Sequence, residues 1–425
     1  MPTSFAPRPV SPQKPIVLMA DYELPRADQN SGAADQISFI KIFQALGFEV
    51  HYLAISEFSA EETSDLRRYR EALSSLGVHC LTSKNYNSHE EYLMQHASVI
   101  SVAFLSRFHV ADALLGAIRK HSPSAKIIFN TVDLYHIRVE REAAVTNNPD
   151  LPLQAEAIKR SELNSVANAD ASIVVSAYEK DFLRSLGFDR NVFLVPLIRE
   201  FEDGPIPAFA ERKDIAFLGG YHHFPNVDAV EFFLSSVWPV LHTSRPDIRL
   251  LVAGSRLPAH WSSRTDPNVH FVGYVENLQT FFSKIRLTIA PLRFGAGAKG
   301  KVVSSLGEGV PCVASEIAAE GMGLQDGLNI SVAKNVDEYV NKIIELYSDE
   351  QLWSERSKQG IALIRSAYSL DRGIELMTDM LNQVPAPKPK TNIDRLRESI
   401  KAIWERFPLW MLALGLFITI KDALY

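Results

Sequence analysis

Short, continuously apolar runs alternate with helix-period segments along almost the whole chain, and no other feature constrains its fold so strongly. PIVLMA, at 15–20, precedes ISFIKIFQALG, in which Ile37, Ile40, Phe43 and Leu46 share one helical face and Gly47 marks the stop. EVHYLAI, VHCLT, SVISVAFL, AKIIFNTV, SIVVSA and VFLVPL read as further strands. Between them lie the helical segments EETSDLRRYREALSSLG, EEYLMQHA, VADALLGAIRKHSP, LNSVANA and YEKDFLRSLG. Apolar runs without polar alternation belong to strands buried on both faces, and helices between them make those strands parallel. FEDGPIPAFAER, at 201–212, is a polar connector. The alternation then restarts with DIAFLGG, AVEFFLSSVWPVLHTS, RLLVAGS, NVHFVGYV, LTIAPL and VPCVAS. The expected fold class is α/β, with two Rossmann-like doubly wound domains facing a cleft.

The first domain is expected over 15–200 and the second over 213–370, followed by a helix at 371–384 and a linker and tail at 385–425. A chain of 425 residues has room for both cores. With 46% hydrophobic and 22% charged residues, the composition excludes a largely disordered, collagenous or polytopic membrane protein. The formal net charge of −6 supplies no global positive field for nucleic acid. Cys80 and Cys312 lie far apart inside apolar runs, without zinc spacing, which suits a reducing compartment. The opening MPTSFAPRPVSPQKP lacks the apolar core of a signal peptide.

In a doubly wound sheet the ligand crevice lies beyond the carboxyl ends of the strands, so the loops that follow strands are the informative ones. Asp28, Ser31 and Gly32 stand ahead of a helix start, which reads either as an anion- or hydroxyl-binding loop or as a simple helix cap. Ser106 to His109 form a second such loop. In the third, NTVDLYHIRVEREA, Asp133 and His136 offer a general base and its orienting partner, with Arg138 beside them; a structural pair is the alternative.

The second half contains the most informative stretch, APLRFGAGAKGKVVSSLGEGVPCVAS, at 290–315. A strand delivers the chain to Gly295, Gly297 and Gly300, interleaved with Lys299 and Lys301, and a helix starts near Val302. Glycines permit close backbone approach, a helix N-terminus carries partial positive charge and lysines add point charges, which is what a diphosphate-bearing ligand requires. The spacing differs from a Walker loop, and a flexible surface loop is the alternative.

These residues, together with DIAFLGGYHHFPNVDAVEFF, RLLVAGS, EIAAEGMGLQDG, LPRADQNSG and ANADASIVVSAYE, resemble family 4 retaining glycosyltransferases, glycosyl transferases group 1, over about 15–381. The resemblance implies the GT-B fold and a glycosyltransferase of hexosyltransferase type. It also implies a nucleotide-sugar co-substrate with no cofactor and no metal, and a glycan or lipid-linked acceptor. Donor contacts are implied at Gly219, Gly220, Arg293, Gly295, Gly297, Lys299, Gly300, Lys301, Ser304 and Ser305, and acceptor contacts at Asp28, Ser31 and Gly32. Asp133 and His136 are the implied catalytic pair. The chain departs from the family pattern in four places, one being Tyr135, which stands where relatives often place a histidine, one position before His136. Ala296 and Ser304 stand where the family has glutamates, the second of which binds the donor ribose. Glu308, one turn on, either takes that part or faces solvent. Tyr221, His222 and His223 stand in place of an arginine. These departures keep open a catalytically silent GT-B subunit binding a glycan or scaffolding a membrane complex, and a nucleotide-sugar epimerase.

The tail is the final element. PAPKPKTN reads as a semi-rigid linker. Ile393, Leu396, Ile400 and Ile403 (or Trp404) then share a helical face, with Arg395, Arg397, Lys401 and Arg406 elsewhere. The apolar run Phe407–Ile420 has 14 residues, short of the roughly 20 that span a bilayer. An interfacial anchor at the inner face of a membrane is expected, or else a helix pair packed on protein.

Overall fold

The computed structural model describes residues 14–202, 204–385 and 387, so the expected anchor lies outside the described residues. The first sheet contains β1 (Ile16–Asp21), β2 (Glu49–Ala54), β3 (His79–Cys80), β4 (Ile100–Ser106), β5 (Lys126–Asn130), β6 (Ala171–Val174) and β7 (Val192–Leu194). Its order is β3-β2-β1-β4-β5-β6-β7, with every pairing parallel. The second sheet contains β8 (Asp214–Leu218), β9 (Leu250–Ala253), β10 (Val269–Gly273), β11 (Ile285–Ala290), β12 (Cys312–Ala314) and β13 (Ser331–Val332), in the order β10-β9-β8-β11-β12-β13, again parallel. This is the expected pair of doubly wound domains. Strand order reverses between β1 and β4 and between β8 and β11, and the loops there form the crevice.

The apolar runs are continuous because both faces of each sheet are covered. In β1 all six residues are buried. Ile16, Leu18 and Ala20 enter one core and Val17 and Met19 the other, the period-2 alternation of a strand. Each of these side chains larger than Ala20 contributes about 1.5–3 kcal/mol of burial. The helix Leu370–Gln383 places Met377 and Met380 in the same first-domain core as Val17 and Met19. One elongated core beneath the second sheet includes Phe217, Phe233, Trp238 and Trp261.

One segment departs from its sequence reading. NTVDLYHIRVEREA reads as a polar loop, yet only Thr131–Leu134 separates β5 from the helix Tyr135–Thr146. The N-cap position is Leu134, which has no side-chain oxygen, so the usual start signal is missing. Carboxylates far along the chain supply it. Glu162 Oε1 accepts from the Tyr135 N–H at 2.7 Å, and Glu179 Oε1 accepts from the Leu134 N–H at 2.7 Å. The helix Leu151–Asn168 also begins well before the LNSVANA that marks its end, and with few buried residues its apolar period is weak there.

Candidate functional site

Between the two sheets lies a cavity of about 650 Å³, lined by the post-strand loops of both domains. From the first domain come Asp28–Gly32 after β1, Arg107 after β4, and Val132, Asp133 and Arg138 after β5. From the second come Gly219 and Gly220 after β8, Gly254 after β9, Tyr274–Gln279 after β10, and Gly295–Lys301 (Gly297 excepted) with Ser304 and Glu308 after β11.

Two helix N-termini meet across it. Asn30 caps Ser31–Ala45 through the Ala33 N–H at 2.8 Å, so the helix-cap reading holds. The loop is a cavity wall as well. A Cβ on Gly300 would overlap Ser31 Oγ, so glycine there lets the first-domain helix rest on the start of Gly300–Gly307. Ser31 is therefore a neighbour of the second-domain loop, and its Oγ accepts from Arg199. The helix Gly300–Gly307 begins two residues before the expected Val302, with Lys299 at its N-cap and no side chain capping it. By contrast Thr63, Ser88, Ser176, Asn335 and Ser369 all cap their helices. An uncapped first turn lining a cavity leaves N–H groups for a ligand.

The lysines of this loop are poorly hydrated. Lys299 is buried and donates to the Ala296 carbonyl at 3.1 Å and to that of Gly297. Burial pushes its ammonium down to about 8, against the pull of Glu179 and Glu320. Lys301 donates to Asn226 Oδ1 at 2.5 Å and is pushed down to about 7 by burial and then by Lys299. An entering anion would restore both charges.

The backbone is strained on the opposite wall. Arg107 has φ +74° and Val132 φ +65°, the latter unusual for a β-branched residue. Asn130 Oδ1 accepts from the Val132 N–H at 3.2 Å and holds that turn. Strain of this kind costs roughly 1–3 kcal/mol and clusters at functional sites. Here it presents Asp133 and Arg107 to the cavity. Asp133 Oδ2 lies 3.6 Å from Arg138 Nε. Asp133 also meets Gly297 across the cleft: a Cβ on that glycine, at φ +63°, would come within 3.0 Å of Asp133 Cβ. Two further contacts join the domains. Arg141 forms a two-pronged ion pair with Glu320 at 2.9 Å and donates to the Gly295 carbonyl at 2.7 Å. The Ala177 N–H donates to the Gly321 carbonyl at 2.9 Å.

Four expected site residues lie outside the lining, among them Gly297, packed against Asp133. His136 is fully buried, with Nδ1 2.5 Å from Glu162 and its ring against Phe182; the unexpected helix turns it away from the cavity. Arg293 is held by Asp228, with Nε donating at 2.9 Å, and covers Phe232. Ser305 is buried, 2.6 Å from Thr288 Oγ1 and donating to the Val310 carbonyl at 2.8 Å, because alternate helix faces point to core and cleft. Asp28 sits at the rim, accepting from Tyr69 at 2.9 Å and Arg68 at 3.1 Å. Gly219 lies so close to Gly254 that a Cβ on Gly254 would overlap the Gly219 carbonyl oxygen. Tyr221 is core, its hydroxyl donating to the Ala253 carbonyl at 3.1 Å.

Residues 212–349 match the family described as glycosyl transferases group 1. The second domain is a group 1 glycosyltransferase domain. Solved structures share the fold across both domains. TarM aligns with a TM-score of 0.67 at 11% identity, covering 87% of this chain and 99% of TarM. Sucrose-phosphate synthase from Thermosynechococcus elongatus gives 0.62 at 15%, over 87% and 99%. Anabaena HepE, solved in complex with UDP-glucose, gives 0.63 at 11%, over 87% and 99%. No curated protein sequence matches. The two domains thus share the GT-B fold of these structures, and the group 1 match lies in the second of them.

Sequence reasoning missed four residues in the cleft wall and behind it. Arg107 lies in a loop that post-strand position had singled out without choosing the residue. Arg141 follows in the unexpected helix. Glu162 and Glu179 are buried acids whose sequence neighbours carry no mark of their work. Burial pushes both carboxyls up, Glu179 to about 7, while the Leu134 N–H pulls Glu179 the other way. Ser304 and Glu308 stand side by side on the cavity face of their helix. Burial also raises the Glu308 carboxyl, against Arg365 and Arg212.

Proposed function

We propose that this glycosyltransferase moves a sugar from a nucleotide-sugar donor to a glycan or lipid-linked acceptor, with retention of configuration and without a metal. The observation that carries the reading is the uncapped helix start at Gly300, flanked by two underhydrated lysines and faced by a first-domain helix start. The charge that builds on a departing diphosphate is greatest there, and fixed donors in a dry site stabilise it without reorganising. Ser304 and Glu308, on the next turns of the same helix, address the donor ribose in place of the family's glutamate. Asp133 receives the acceptor hydroxyl on the opposite wall, and the closed domains exclude water. Retention follows from the family 4 resemblance.

The deciding experiment incubates the full chain with a panel of nucleotide-sugars and glycan or lipid-linked acceptors. It records nucleoside diphosphate release and the anomeric configuration of the product. UDP-sugars come first, since HepE and Staphylococcus aureus TarM of the same fold are described with UDP. Release of diphosphate with a retained linkage is expected. Nucleotide binding with no turnover would favour a silent subunit, and an altered free donor sugar an epimerase. Among the described residues no helix is long and apolar enough to cross a membrane. Attachment to the inner face of a membrane through the tail within 385–425 belongs to this reading and is tested by co-sedimentation with anionic vesicles.

A further inference from the structure

Three guanidinium groups line the cavity, Arg107, Arg138 and Arg199, and all three precede the second sheet. The second domain contributes Lys299, Lys301 and His223 as its only basic side chains among the described lining residues. Both lysines are turned onto neutral acceptors. His223 is kept neutral, pushed down to about 3 by burial and then by His222, Arg138, Lys301 and Arg107. A permanent positive charge on the donor side is therefore missing where Tyr221, His222 and His223 follow Gly220.

Arg199 is already committed to Asp35, Ser31 and the Ile198 carbonyl. Arg107 and Arg138 each face one carboxylate, Asp21 and Asp133, through Nε and keep their terminal amino groups to spare. Arg107 donates only its Nε, to Asp21 at 2.9 Å, and its terminal amino groups take no partner among the described residues. Its Nη2 lies 3.3 Å from where a Gly32 Cβ would stand, and Ser31 beside it touches Gly300. Arg138 stacks on Tyr135 at 4.1 Å, and its Nε is buried without a hydrogen bond. Its neighbour Asp133 touches Gly297. Each arginine thus stands a single residue away from a contact with the second-domain loop.

We infer that Arg107 and Arg138 supply, from the first domain, the fixed charge that grips the donor diphosphate across the cleft. Arginine's planar fork suits phosphoryl oxygens, and its charge is complete before an anion enters, whereas the buried lysines are then only partly charged. The inference rests on the donor reading above and adds a consequence: tight diphosphate binding requires the domains to be closed. The same chemistry would also receive a phosphate on an acceptor, so the test separates the two sources.

UDP and uridine are titrated calorimetrically into the full-length wild type, Arg138→Gln, Arg138→Lys and Arg107→Lys, the last of which leaves a cation for Asp21. Wild type should bind UDP at least about 100-fold more tightly than uridine. Arg138→Gln should weaken UDP about 10- to 100-fold with uridine unchanged, Arg138→Lys should recover part of that loss, and Arg107→Lys should cost about 10-fold. An equal loss for UDP and uridine overturns the inference, because it reports a distorted pocket. Glycerol 3-phosphate is then titrated into the UDP complex. UDP affinity intact in the variants, with glycerol phosphate binding lost, overturns the inference in favour of an anionic acceptor. A wild type that binds no nucleoside diphosphate overturns the donor reading, and this inference with it.

Discussion

Two helices begin beside the cleft from opposite domains, and they are closed in opposite ways. Tyr135–Thr146 is sealed: Glu162 and Glu179 take up its first N–H groups from inside the protein. Gly300–Gly307 is open, with a lysine at its N-cap and a glycine at its first position. A sealed start spends its positive end on the protein's own carboxylates and fixes geometry, here the strained turn that carries Asp133. An open start keeps its positive end for a ligand. Position after a strand therefore does not by itself make a binding site, because what fills the first turn decides.

The largest expected effect falls on the open start. Lys299→Ala combined with Lys301→Ala should lower turnover by about 100-fold or more, with the unfolding midpoint nearly unchanged. Near-normal turnover would show that the open helix start is not the diphosphate site. At the sealed start the cost should appear as stability. Glu162→Ala leaves the Tyr135 N–H and the His136 ring unpartnered, and should lose about 3 kcal/mol in urea unfolding. Turnover per folded molecule should fall much less than in the lysine pair; an equal fall would erase the distinction between the two starts.

The buried acid next to it makes the contrast sensitive to pH. Glu179 titrates at about 7 in the folded chain against an ordinary 4.5, so folding favours its neutral form. The stability this gives is complete below pH 4.5 and is lost as pH rises through 7. Relative to wild type, Glu179→Gln should gain up to about 3 kcal/mol above pH 7 and nothing near pH 4. A gap that stays constant with pH would refute the assignment. The smallest effect is at the open start again. Because Lys299 and Lys301 lie near 8 and 7 in the empty site, UDP binding at pH 8 should take up about one proton, and affinity should fall as pH climbs further. Calorimetry in buffers of different ionisation enthalpy measures it, and zero uptake would mean that the ammonium groups do not meet the phosphates.

Reading the chain as a string reached the two sheets and the glycine–lysine loop because both are written locally. Continuous apolar runs mark strands buried on two faces, and closely spaced glycines mark a place where backbone must come near something. It failed at His136 and Ser305, drawn into the protein by Glu162 and Thr288, and at Arg293, held at the surface by Asp228, partners that spacing does not show. It also failed to see a helix at Tyr135, since the start signal arrives from residues 27 and 45 positions away.

The alternating pattern alone therefore determined two doubly wound domains and a loop fit for diphosphate, since hydrophobic period and glycine spacing act between neighbours in sequence. The tertiary structure alone decided which charges share the cleft. Arg107 and Arg138 are separated from Gly300 by about a whole domain's length along the chain and by about one residue in space. Only the packing of one sheet against the loops of the other brings permanent charge to the wall that lacks its own.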